Sequence, residues 1–110
     1  MMRNKYGNRK VTICGETFDS MREYDRYCVL KLMQRAGKIH DLHRQVKFEL
    51  IPAQKEDGKV VERAVHYIAD FVYWVGDDMI VEDAKGFRTD TYKLKKKLLL
   101  YSHGIKIQEV

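Results

Sequence analysis

Residues 65–86 read VHYIADFVYWVGDDMIVEDAKG, and the fold follows from how this stretch pairs with itself. From Val65 (or Val60) to Val75 the chain is rich in β-branched and aromatic residues, which predicts a strand buried on at least one face. Gly76-Asp77 is a hairpin signal, and Met79–Ala84 is the return strand. With a two-residue turn, Val75 pairs with Asp78, so facing residues have numbers that sum to 153 and Asp70 lies opposite Asp83. Directly opposed residues have Cβ atoms about 4.5–5.5 Å apart on one face. Lys85, two residues past Asp83, faces the same side about 6.6 Å further along. Ile68, Val72, Trp74, Met79 and Val81 on this face are apolar, so the acids interrupt the most hydrophobic strands of the chain.

Like charges placed opposite one another at a core boundary need compensation, from Lys85 or from a divalent metal. Oxygen-only ligands with room for water suit Mg²⁺ or Mn²⁺, and no cluster offers the His/Cys set that zinc favours. Glu82 points to the other face and becomes the substitute ligand only if a bulge or longer loop shifts the register.

Outward from the hairpin, Ser20-x-x-Glu23 is a capping box opening a helix over about Met21–Ala36, stopped by Gly37. Met21, Tyr24, Cys28 and Leu32 mark one apolar face. Glu23, Tyr27 and Leu30, at i, i+4 and i+7, form a second stripe that would turn Glu23 inward. Upstream, Val11–Cys14 and Glu16–Phe18, broken at Gly15, form a short hairpin. Gln45–Ile51 alternates, with Val46, Phe48 and Leu50 on one side, and ends at Pro52; Asp57-Gly58 is a turn. After Gly86, Thr89 or Asp90 caps a second helix to about Tyr101, with Leu94, Leu98 and Tyr101 on its apolar side; Gly104 ends it and Ile105–Val110 is a last short strand. Helix, three strands, helix, strand predicts an α/β or α+β fold, a mixed sheet flanked by helices.

At 110 residues the chain is one domain. With 45% hydrophobic and 11% aromatic residues and one proline, it has the material for a core. The net charge of +5 is unevenly spread: residues 1–10 carry +4, 11–84 carry −4, 85–106 carry +6 and Glu109 carries −1. A basic segment beginning at Lys85 points to a polyanion such as nucleic acid. Lys93, Lys96 and Lys97 lie on one side of the second helix and Arg88 in the loop before it, placed to track phosphates. Residues 1–10 are read as a flexible basic arm. No apolar run approaches bilayer length, so no membrane partner and a cytoplasmic location are expected. Cys14 and Cys28 make no framework and are read as small buried apolar residues. His40 and His43, at i, i+3 without further ligands, are read as structural or loop residues.

With these residues in hand, the sequence resembles the PD-(D/E)xK nuclease superfamily, whose restriction-endonuclease-like core is a helix, a three-stranded meander, a helix and a strand. Ala69-Asp70 looks like the "PD" position, with alanine in place of proline, and Asp83-Ala84-Lys85 looks like "(D/E)xK". The segments YIADFVY, VEDAKGFRT and KLKKKL look most like small phage- and prophage-encoded proteins of uncharacterised function, and the size and layout are similar to archaeal-type Holliday junction resolvases. The resemblance implies a Mg²⁺- or Mn²⁺-dependent endodeoxyribonuclease with Asp70 and Asp83 as metal ligands, Glu23 completing the site, Lys85 assisting and Gln45 near the metal. It also implies products with 5′-phosphate and 3′-hydroxyl ends, branched DNA as substrate and, for a phage protein, action in the host cytoplasm. Two paired cuts at a two-fold junction imply a homodimer. The competing expectations are a nuclease fold that only binds nucleic acid, a phage recombination or replication nuclease acting on other DNA, and a protein-binding adaptor.

Overall fold

The computed structural model describes residues 10–110; the basic arm read at residues 1–10 lies, but for Lys10, outside them. A hairpin of β1 (Val11–Ile13) and β2 (Glu16–Phe18) leads into helix α1 (Met21–Arg35). Strand β3 (His40–Ile51) is followed by a second hairpin, β4 (Gln54–Glu56) with β5 (Lys59–Glu62). Then come β6 (Val65–Val75), β7 (Asp78–Asp83), helix α2 (Asp90–His103) and β8 (Gln108–Glu109). The main sheet has the order β3-β6-β7-β8: β3, β6 and β7 run antiparallel, and β8 is added parallel to β7 through the crossover helix α2. This is the mixed α+β architecture expected from the hairpin outward.

The β6–β7 register is the expected one. Val75↔Asp78 through Phe71↔Glu82 all sum to 153, and the two-residue turn places Gly76 at φ +59, where a side chain would be disfavoured. Adjacent residues therefore face opposite helices. Phe71, Tyr73 and Ile80 pack with Leu30 and Ile39 on the α1 side, whereas Val72 and Val81 pack with Tyr92 and Leu99 on the α2 side. Ala69 and Tyr67 belong to the α2-side core although they have the parity of Phe71, so β6 changes face at Asp70. The pairs Arg44↔Phe71 and Val46↔Ala69 set Gln45 opposite Asp70, and Gln45 itself sits at φ +54. Both strands turn over at the same place.

Both helices cap as expected; α1 turns the second of its two expected stripes inward, and α2 turns an unexpected face inward. The Ser20 and Thr89 side chains accept from the backbone N–H of Glu23 (3.2 Å) and Tyr92 (3.0 Å), and Gly104 ends α2 in the left-handed region. In α1 the buried positions are Glu23 and Leu30, with Tyr27 and Met33 behind them, while Met21 and Leu32 are exposed. The second stripe is the inner one. In α2 the buried positions are Tyr92 and Leu99, while Leu94 is 57% and Tyr101 90% exposed; of the expected apolar side only Leu98 packs on the core. Cys14 is exposed at the β1–β2 turn, not buried, and Cys28 is half-buried. β3 begins five residues earlier than expected, so His40 is a strand residue, held by Asp41 and by the carbonyl of Gly76. The β4–β5 hairpin, every residue of it exposed, was legible only as its Asp57-Gly58 turn.

Candidate functional site

Four carboxylates converge where the face change, the start of α1 and the end of β7 meet. Glu23 is placed by the first turn of α1 and is 2% exposed, while Asp70 is 3% and Asp83 0% exposed. The fourth, Asp19, is exposed. Carboxylate oxygens of Asp19, Glu23 and Asp70 lie within 4.8 Å of one another, close enough to share a cation. Glu23 has both its capping and its inward role: Oε2 accepts from the Asp19 N–H at 3.2 Å, and Oε1 accepts from Arg44 Nη2 at 3.2 Å and Gln45 Nε2 at 3.1 Å. The left-handed backbone of Gln45 lets one amide serve two acids, since Nε2 also lies 3.5 Å from Asp70 Oδ1. Asp70 Oδ2 accepts from the Ala84 N–H at 2.8 Å, which ties β6 to β7 one step beyond the last paired residues.

Asp83 is the least satisfied of the four. Its Oδ2 accepts from the Tyr67 hydroxyl. Its Oδ1 is buried, with no hydrogen-bond donor among the described residues, and Lys85 Nζ is 3.5 Å away. Burial, and then the neighbouring charge of Asp70, push the Asp83 carboxyl up to about 7, against the pull of Tyr67 and Lys85. Burial and Asp70 also raise Glu23. For Lys85, burial acts to lower the pKa, but Asp83, Asp70 and Asp19 together outweigh it and raise it, so the ammonium is retained. Burial and the Asp83 charge hold the Tyr67 phenol above the ordinary tyrosine range, so it stays a donor. One lysine and one arginine face four acids, and the imbalance favours a cation.

Asp19, Glu23 and Asp70 fit a hard divalent ion, since their donors are all oxygens, and Asp83, outside that trio, adds a buried carboxylate oxygen without a hydrogen bond. Glu82 is excluded from that role. It faces α1, where Arg26 binds it through Nε at 2.8 Å and Nη2 at 2.7 Å and the Tyr73 hydroxyl also donates to it.

Asp19, Glu23 and Asp70 open on a cleft of about 680 Å³, with Asp83 behind its wall; the lining also includes Lys85, Thr89, Thr91 and Lys95 from the connection after β7 and the first turns of α2. The basic residues expected to track phosphates divide. Arg88 and Lys96 are bound to Glu109, at 2.5 and 3.0 Å, and do not line the cleft. Lys93 and Lys97 are exposed on the outer side of α2. Lys95, not singled out by sequence reasoning, lines the cleft and has no acidic partner among the described residues. Asp19 and Tyr67 were likewise missed. Asp19 had a signal, being the residue before a capping box whose glutamate turns inward. Tyr67 had none, because a tyrosine in an apolar strand reads as core.

No described helix is long and apolar enough to cross a membrane. No curated protein and no solved structure matches the chain. One family does match, over residues 3–108 and so across the whole acidic cluster and cleft; the chain belongs to the family described as "Protein of unknown function (DUF1064)".

Proposed function

We propose that the protein is a Mg²⁺-dependent DNA endonuclease of the PD-(D/E)xK kind. The observation that carries this reading is Asp83 Oδ1, a fully buried carboxylate oxygen without a hydrogen bond, beside a retained lysine and a second buried acid. A merely structural carboxylate in such a place would have both oxygens hydrogen-bonded, as those of Glu82 are. Asp70 and Asp83, with Glu23 and Asp19 beside them, would hold the cation. When bound, it supplies a Lewis acid that acidifies water and offsets charge building on the phosphate.

The chain's own residues do the rest. Lys85, protonated, donates to a phosphate oxygen and stabilises the charge that develops there. Gln45 and Arg44 hold Glu23 in place, and the Ala84 N–H fixes Asp70. Lys95, with the hydroxyls of Thr89 and Thr91, offers donors to the DNA backbone on the cleft wall. Branched DNA is the substrate we favour, on the resemblance to junction resolvases, and the paired incisions of a two-fold junction would then call for a homodimer.

The test is incubation with a four-way junction, a linear duplex and single-stranded DNA, in Mg²⁺ or EDTA, beside Asp83→Ala. Paired incision of the junction, abolished by EDTA and by the substitution, is expected. Equal cutting of linear duplex removes the junction preference, and tight binding without cutting in Mg²⁺ or Mn²⁺ leaves only a binding module.

A further inference from the structure

We propose that Tyr67 is the positioning residue that keeps Asp83 ready for a cation: its hydroxyl occupies Oδ2 and thereby holds the carboxylate in the orientation that leaves Oδ1 open. The inference rests on the cation-binding reading above and adds a residue to it. An ionised carboxylate can rotate and has about four lone-pair positions to fill, so an isolated buried one turns toward whatever donors it finds. Asp83 is not free to do so. Its backbone is fixed on both sides, by β6 through the hairpin and by β8, where Asp83 pairs with Glu109 and its carbonyl accepts the Val110 N–H at 3.0 Å. Its side chain is fixed by a phenol that is itself 3% exposed and packed against the ring of Tyr92, centroids 6.3 Å apart.

Tyr73 supplies the comparison inside the same sheet. It donates to Glu82 Oε2 as Tyr67 donates to Asp83 Oδ2, but Arg26 binds both oxygens of Glu82, so neither is left without a hydrogen bond. Two buried tyrosines thus make the same bond to neighbouring acids, and only one of those acids keeps an open oxygen. Residues that hold a metal ligand by hydrogen bonding typically contribute about 10–100-fold to metal affinity, and Tyr67 is the donor placed to do that here.

The test is Mn²⁺ binding by isothermal titration calorimetry, with the metal alone, on the wild type, Tyr67→Phe and Tyr73→Phe. Tyr67→Phe should weaken Mn²⁺ binding about 10–100-fold, with Tyr73→Phe within about twofold, although each loses one tyrosine-to-carboxylate bond. Cutting by Tyr67→Phe should recover at high Mn²⁺, the fall lying in the metal requirement and not in the saturated rate. Unchanged affinity in Tyr67→Phe, or equal weakening in both variants, overturns the proposal while leaving the cation site standing. No Mn²⁺ binding by the wild type overturns both. Near-ultraviolet circular dichroism checks that each variant is folded; if Tyr67→Phe is not, Tyr67→Met fills the space without a donor and takes its place with the same expected loss.

Discussion

Glu82 and Asp83 are consecutive residues of one strand, both 0% exposed, and the molecule completes one and leaves the other open. Glu82 faces α1 and is closed by Arg26 and Tyr73 into an arrangement with no vacancy. Asp83 faces the other way, has a tyrosine on one oxygen and a lysine 3.5 Å from the other, and lies near Asp70. On the function proposed above, the difference separates a buried charge kept for the fold from one kept for binding. A structural ion pair is recognised by completeness, and a binding acid by what it lacks.

The comparison is sharpest on stability. Arg26→Ala strands the Glu82 charge in the interior and should cost about 3–5 kcal/mol in urea unfolding; a loss below about 1 kcal/mol would break the distinction. Asp83→Asn should do the reverse, leaving stability unchanged or slightly higher at pH 8 because it removes a poorly compensated charge. Its cutting should nevertheless fall about 100-fold or more, roughly 2.7 kcal/mol of transition-state stabilisation.

The pH dependence follows with a definite sign. The folded Asp83 carboxyl is raised from 3.8 to about 7, so between those values the folded chain holds a proton that the unfolded chain has lost. Stability from this group therefore increases as pH falls from about 7 toward 4, and urea midpoints from pH 5 to 8 should show that trend in the wild type and a flatter one in Asp83→Asn.

The same contrast extends to the lysines of α2. Lys95 lines the cleft without an acid partner and Lys97 is on the outer side, so Lys95→Ala should weaken DNA binding about tenfold, on the order of 1.4 kcal/mol, and Lys97→Ala less than about twofold. Equal effects would return DNA to the outer face of α2. The smallest effect belongs to Glu109. Partial burial acts to raise its pKa, but Lys96, Arg88 and Tyr92 together bring it from 4.5 down to about 2. Its contribution is present above about pH 4.5 and lost as pH falls toward 2, opposite in slope to Asp83. Glu109→Gln should lose about 1 kcal/mol at pH 7, a value reduced for solvent screening, and match the wild type near pH 2.

The sheet was legible because β6 and β7 have a clear alternation and an unambiguous turn, and the register alone brought Asp70 toward Asp83. The inner face of α2 was misread, and that of α1 was read only as the second of two stripes, for one shared reason. Hydrophobic periodicity counts Glu23 as polar, so Met21 and Leu32 attracted the reading although Glu23 and Leu30 are the buried positions. In α2 the inward face carries Lys95 and Lys96 between Tyr92 and Leu99, and the more apolar Leu94 and Tyr101 stand in solvent. Where a helix supplies charged groups to a cleft or an ion cluster, its buried stripe stops being its most apolar stripe. The exposed β4–β5 hairpin escaped because, with nothing packed on it, no residue needed to be apolar.

The pairing of Asp83 with Glu109 also makes one edge of β7 depend on a distant part of the chain. β8 joins β7 in parallel, which requires the whole α2 crossover to be in place first. Glu23, Gln45, Asp70 and Asp83 are brought together by α1, β3, β6 and β7, but the backbone beside Asp83 is an open edge until residues 108–110 pair with it. The contact that steadies the backbone beside Asp83 is therefore a non-local one, made by a strand that lies beyond the whole of α2.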